Sequence, residues 1–215
     1  MGIVTTLEPL HLGASYTIGS HILPGKPIVA ISEIVKKKIK LDIGTCDEII
    51  DGVKAERYDY GLIETPLFDD TLIYNEWMED ELVICSKMPL PESSNENDIH
   101  NYRLICRKEG SLTRMVISKF FSQWDLSYQS FWSLSEIDNA TAAIQSVKWA
   151  KPNPEHPTVA IVSQLSIEHE LQQKELYTSR IHNQPLVRKF YLIYKQENTQ
   201  QQNVETIIRA LKNWR

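Results

Sequence analysis

The sequence predicts an α/β fold of two lobes, built on mixed sheets with helices on both faces. Three observations predict it. Short apolar runs alternate with helical stripes almost without a break, the pattern of successive βαβ units. A polar stretch carrying Pro89 and Pro91 and running to Asp98 parts two such series. The 215 residues, 42% hydrophobic and 24% charged, suffice for two small cores in a soluble protein.

Taken in order, Pro9 to Ala14 reads as a strand, and Thr17 to about Lys36 as largely helical. Lys38 to Ile43 alternates as a strand, after which Cys46, Ile49, Ile50 and Val53 share one helical face. Tyr58 to Glu64 is the next strand, and Leu72 to Trp77 and Glu81 to Ser86 read as two more. Beyond the polar stretch, Arg103 to Cys106 is a strand, and Val116, Phe120, Phe121 and Trp124 stripe a helix. Phe131 to Leu134 is a strand and Asn139 to about Trp149 a helix. After the proline-rich loop 152–157 come a strand from Val159 to Val162 and a short helix. Leu176 to Ile181 and Val187 to Tyr194 are strands. Val204, Ile207, Ile208, Leu211 and Trp214 then mark a final amphipathic helix.

Charge and cysteine usage exclude several classes. A formal net charge of −5, from 23 basic and 28 acidic residues, gives no reason for this chain to grip nucleic acid by itself. The run Lys36-Lys37-Lys38-Ile39-Lys40 falls where a helix ends, a position that favours cations. No apolar run approaches the ~18 residues of a membrane span. The first residues lack the basic start and apolar core of a signal peptide, so a cytoplasmic protein is expected. Cys46, Cys85 and Cys106 read as reduced, buried thiols.

Three tempting motifs fail. Gly19 to Lys26 is no P-loop, because the spacing is wrong and Pro27 stands where Ser or Thr is needed. His169-Glu170 begins like a zinc-protease helix, but Gln173 replaces the second histidine. Asn139-Ala140-Thr141 is a glycosylation sequon without meaning in a cytoplasmic chain. Neither a metal site nor a cofactor is expected.

What remains is a set of four strand-to-helix junctions with polar caps. They are Ser15 and Thr17; Gly44-Thr45-Cys46-Asp47; Glu109-Gly110-Ser111-Leu112-Thr113-Arg114; and Ser135 to Thr141, with Asn139 ahead of its helix. Each sets hydroxyl or amide groups at a helix N-terminus near the carboxyl end of a strand. Ligands bind there in open α/β sheets, and anions are favoured. The same residues are ordinary N-caps, so each junction has a purely structural reading as well. Trp132, Tyr16 and Leu112 are candidates to admit an aromatic ring.

These segments resemble a known family. Leu12-Gly13-Ala14-Ser15, Ile18-Gly19, Leu23-Pro24, Leu41-Asp42-Ile43-Gly44 and Asp59-Tyr60-Gly61-Leu62-Ile63-Glu64 are similar, in order, to the effector-binding domain of LysR-type transcriptional regulators. So are Glu81-Leu82-Val83-Ile84, Glu109 to Arg114 and Val159-Ala160-Ile161-Val162-Ser163. The resemblance implies a type 2 periplasmic-binding-protein-like fold, with two crossover strands at Glu81 to Ser86 and Lys189 to Tyr194. Lobe I would hold residues 1–86 and 190–215, and lobe II residues 87–189. A small effector, carboxylate or oxyanion, would sit in an interlobe cleft against Ser15, Thr17, Glu64, Thr65, Ser111, Thr113 and Ser163, and the junction residues Thr45 and Asn139 join this expected set.

The resemblance also implies a homodimer or tetramer, and DNA contact only through an N-terminal winged helix-turn-helix absent from this chain. Two departures bear on the cleft wall. The segment Lys151 to Pro157 replaces a glycine-rich turn, and Leu112 stands where a second glycine is usual. A solute-binding protein of the same fold is the alternative. An enzyme on this fold would need an acid or base, for which Glu64 is the one carboxylate near the pocket mouth; no catalytic residue is expected.

Overall fold

The structure, a computed structural model, describes residues 8–64, 66, 68–196 and 203–213. Thr65, Trp214 and Gln200 to Gln202 lie outside them. The chain forms two compact units, Met1–Met78 with Lys189–Arg215, and Glu79–Arg188.

The first unit opens with β1 (Leu10–Ser15), a π-helical turn Ile18–Ile22, α1 (Lys26–Val35), β2 (Ile39–Gly44), α2 (Cys46–Lys54) and β3 (Tyr60–Ile63). The long strand β4 (Leu72–Ser86) begins in this unit and ends in the next. The second unit continues with β5 (Ser93–Ser94), α3 (Glu96–Asn101), β6 (Arg103–Arg107), α4 (Leu112–Phe121), β7 (Ser133–Ile137) and α5 (Ala140–Lys148). Then come β8 (Thr158–Ser163), α6 (Glu168–Gln172) and β9 (Tyr177–Ile181). β10 (Leu186–Lys195) leads back to the first unit, which closes with α7 (Val204–Lys212) packed on α1.

In the first unit the strand order is β2-β1-β3-β10-β4. β1 is parallel to both β2 and β3, and β10 is antiparallel to β3. In the second the order is β4-β8-β6-β7, with β6 parallel to β7 and β8, and β4 antiparallel to β8. These are the mixed sheets that βαβ alternation requires.

Alternation along the strands builds the cores. On β4, Leu82 and Ile84 join a cluster with Phe120, Phe121 and Phe131, while Val83 and Cys85 join another with Ile144, Val147 and Ile167. Period-two side chains thus give this sheet an apolar layer on each face. In the first unit Leu10, Leu12, Ala14, Ile18, Ile22 and Ile31 are wholly buried. The three cysteines are buried free thiols, and burial pushes Cys85 up to about 12.

The structure corrects the element reading at several points. The helix expected from Thr17 to Lys36 is broken, because Pro24 withholds a backbone donor and Gly25 adopts φ 91°, so α1 starts afresh at Lys26. The two strands expected between Leu72 and Ser86 are one, and Asp80, between the expected pair, is buried and partnered. Trp124 lies in a 3₁₀ turn, Ser122–Trp124, beyond the helix it was expected to stripe. The polar stretch before Arg103 contains α3, held by a capping box between Asn95 and Asp98. Residues 79–86 fall in the second unit, where Leu82–Ser86 pair with Val159–Ser163.

Candidate functional site

In the first unit, parallel pairing carries three strand ends to one edge. Ser15 on β1 lies opposite Gly44 on β2, and Ala14 opposite Leu62 on β3. The residues that follow these ends, Tyr16 and Thr17, Thr45 and Cys46, and Glu64, therefore gather at the carboxyl edge, where open α/β sheets take ligands. Thr65 lies outside the described residues.

Ser15 is 1% exposed, and its Oγ has no hydrogen-bond partner among the described residues. Strand alternation sets its direction. A Cβ on Gly13 would come within 2.5 Å of the Tyr58 ring, which also covers Gly52 of α2, so Ser15, two residues on, faces the α2 side of the sheet. A buried hydroxyl without a partner costs about 1–3 kcal/mol. Thr17 is buried too, and it stands at the N-cap of the π-helical turn without making a side-chain cap bond.

The neighbouring junctions differ. Thr45 Oγ1 accepts from Glu48 N at 3.3 Å, and the Glu48 carboxylate accepts from Thr45 N at 2.8 Å, a closed capping box. Asp47 and Glu48 already occupy the first turn of α2. Burial, with Asp51 and Glu48 nearby, holds the Asp47 carboxyl above its ordinary value. Glu64 is buried, and the Cys46 thiol donates to its Oε2 at 3.6 Å. An anion at this edge is therefore favoured towards Ser15 and Thr17 and disfavoured beside Glu64 and the first turn of α2.

In the second unit the ends of β6, β7 and β8 form the corresponding edge. Ser111 Oγ accepts from Arg114 N at 3.1 Å and caps α4; Asn139 Oδ1 accepts from Ala142 N at 2.8 Å and caps α5. Neither first turn carries an acid. Thr113 is half-buried in the first turn of α4. Arg114 braces the loop before α4: it donates to the Arg107 carbonyl at 2.8 Å, pairs with Glu136 and lies 4.5 Å over the Tyr128 ring.

Ser163, the last residue of β8, has its hydroxyl committed to Asp80 Oδ1 at 2.7 Å, and Asp80 Oδ2 accepts from Arg188 Nε at 2.8 Å. Sequence reading missed Asp80 and Arg188. The sequence signal there is weak, because Asp80 stands in the acidic run Glu79-Asp80-Glu81 and Arg188 lies 108 residues away.

Trp132 precedes β7, so it sits at the amino edge, stacked on His156 and under Arg103. That corrects its candidacy for the ligand edge. Two open hollows, of about 340 Å³ beside Trp149 and about 360 Å³ beside His11, include none of the expected site residues. Among the described residues, no three His, Cys, Asp or Glu side chains converge as a metal site.

The family model of the LysR substrate binding domain matches residues 7–215. The chain belongs to this family. The LysR assignment agrees with its curated relatives. It is 29% identical over 212 residues to the HTH-type transcriptional regulator CysL of Bacillus subtilis, covering 95% of this chain and 67% of that protein. It is 25% identical over 192 residues to the uncharacterized HTH-type transcriptional regulator YeiE of Escherichia coli, covering 87% of this chain and 62% of that protein. The LysR domain thus spans about two thirds of these relatives' length.

Among solved structures, the regulatory domain of reduced OxyR from Pseudomonas aeruginosa superposes with a TM-score of 0.75 at 12% identity, over 95% of this chain and 97% of that one. The Synechocystis CcmR regulatory domain in complex with 2-PG gives 0.74 at 17% identity, over 95% and 98%. These likenesses establish the periplasmic-binding-protein-like fold expected from the sequence.

Proposed function

We propose that this LysR domain senses a small effector bearing a carboxylate or other oxyanion, and that the anionic end is held by Ser15 and Thr17. The observation that carries the reading is the Ser15 hydroxyl, buried at the carboxyl edge of three parallel strands with no partner among the described residues. A buried donor without a protein partner is worth its cost where a ligand oxygen completes it. The CcmR regulatory domain, of the same fold, is solved in complex with 2-PG, which supports a small-molecule partner.

Glu64 narrows the chemistry. A buried carboxylate beside the site repels a second anion, so the effector presents a hydrogen-bond donor towards Glu64 and its oxyanion towards Ser15. Thr45, Ser111 and Asn139 serve this reading through the helix starts they cap, whose remaining N–H groups face the same edges. Thr65, Thr113 and Ser163 complete the proposed set.

The intact protein would be a cytoplasmic, oligomeric transcriptional regulator, not an enzyme, in which effector binding shifts a conformational equilibrium felt by a DNA-binding domain. No helix among the described residues is long and apolar enough to cross a membrane.

A melting-temperature screen against small organic acids, amino-acid precursors and inorganic oxyanions tests this reading. A ligand of the folded state at ~100 times its Kd adds about 2.7 kcal/mol. Stabilisation by one anionic class, lost in Thr17→Val, is expected. Stabilisation by neutral or cationic compounds alone would overturn the anionic assignment.

A further inference from the structure

The second unit begins at Glu79 and ends at Arg188. Asp80, one residue inside its start, and Arg188, its last residue, form an ion pair at 2.8 Å, with side chains 0% and 5% exposed. The chain's entry on β4 and its exit on β10 are therefore clasped together inside the unit. Burying such a pair carries a large desolvation cost. The third member is Ser163. It ends β8, the strand beside β4, and precedes the 3₁₀ turn Gln164–Ile167. A serine at that position ordinarily turns its oxygen to the N–H groups of the turn. This one makes no cap bond and donates to Asp80 instead. Three residues on, the Ser166 hydroxyl is buried and has no hydrogen-bond partner among the described residues.

We propose that Ser163, Asp80 and Arg188 are a relay that ties the carboxyl edge of β8 to the two strands by which the chain enters and leaves the second unit. The inference rests on the effector reading for its purpose: a ligand that moves the 163–167 turn alters the hydrogen bond to Asp80, and one carboxylate serves both Ser163 and Arg188. Asp80 and Arg188 are positioning residues in this scheme; they touch no ligand. Coupling of this kind is reciprocal, so loosening the clasp must loosen the turn as loosening the turn loosens the clasp.

Amide hydrogen exchange on the ligand-free 215-residue chain tests the relay. Ser163→Ala removes one hydroxyl and keeps the ion pair. It is expected to speed exchange about ten-fold at 79–82 and 186–189, the loss of one hydrogen bond to a charged group, while the amides of α3 are unchanged. In the reverse direction, Asp80→Asn, which keeps the shape but not the charge, speeds exchange at 163–167. Acceleration confined to 163–167 in Ser163→Ala, or spread evenly over the whole unit, would overturn the relay. Because no ligand is added, an empty effector screen leaves this result standing, and a failed relay leaves the effector reading standing.

Discussion

Ser15 and Gly44 face each other at the ends of two parallel strands, and the buried serine hydroxyl there has no hydrogen-bond partner among the described residues. Ser15→Ala removes from a buried site a polar atom that has no partner among the described residues. Thermal or urea unfolding should show it neutral to stabilised, by up to about 1–3 kcal/mol. The same variant should bind the effector at least ten-fold more weakly. A stability gain paired with a binding loss is the signature of a functional site, and a structural serine would show the opposite.

The Asp80–Arg188 pair gives a second expectation. Asp80→Ala strands a buried guanidinium and should cost about 3–5 kcal/mol. Replacing both partners with apolar residues of similar size, Asp80→Leu with Arg188→Met, should recover most of that loss. Denaturant titration of the single and double variants measures both.

Gly13 is a packing constraint. An added Cβ would stand 2.5 Å from the Tyr58 ring, so Gly13→Ala should cost about 1–3 kcal/mol by overpacking. Tyr58→Ala combined with Gly13→Ala should cost less than the sum of the two, because the clash is then gone.

Lys148 donates to Glu170 at 3.0 Å. Burial pushes the Glu170 carboxyl up, but the Lys148 hydrogen bond and a backbone bond outweigh it, and the net shift is downward from 4.5. A lowered folded-state value means the contribution is complete above the unfolded value and is lost as pH falls through the folded one. The melting-temperature gap between wild type and Glu170→Gln should therefore be open at neutral pH and close below about pH 4.5. For so modest a pair it corresponds to at most about 1 kcal/mol.

The sheets were legible because apolar alternation and helical stripes are local. The capping boxes at Thr45 and Asn95 are local as well, and the first was read as a junction while the second was passed over inside a polar loop. What escaped was long-range or conformational. Pro24-Gly25 split a helix that periodicity alone continued. Asp80 falls between two expected strands, and Ser163 and Arg188, its partners, are distant in sequence. At the candidate site, sequence offered a cap or a ligand contact at every junction. The structure shows side-chain caps at Thr45, Ser111 and Asn139 and none at Thr17, a difference set by backbone direction rather than residue type.

Amide chemical-shift mapping during titration with the acids and oxyanions of the screen tests the central claim most directly. The account predicts that an anionic ligand moves the amides of Ser15 to Ile18, Gly44 to Asp47 and Ile63 to Glu64, and that Ser15→Ala abolishes the change. Shifts confined to other surfaces, or equal shifts in wild type and Ser15→Ala, would contradict it.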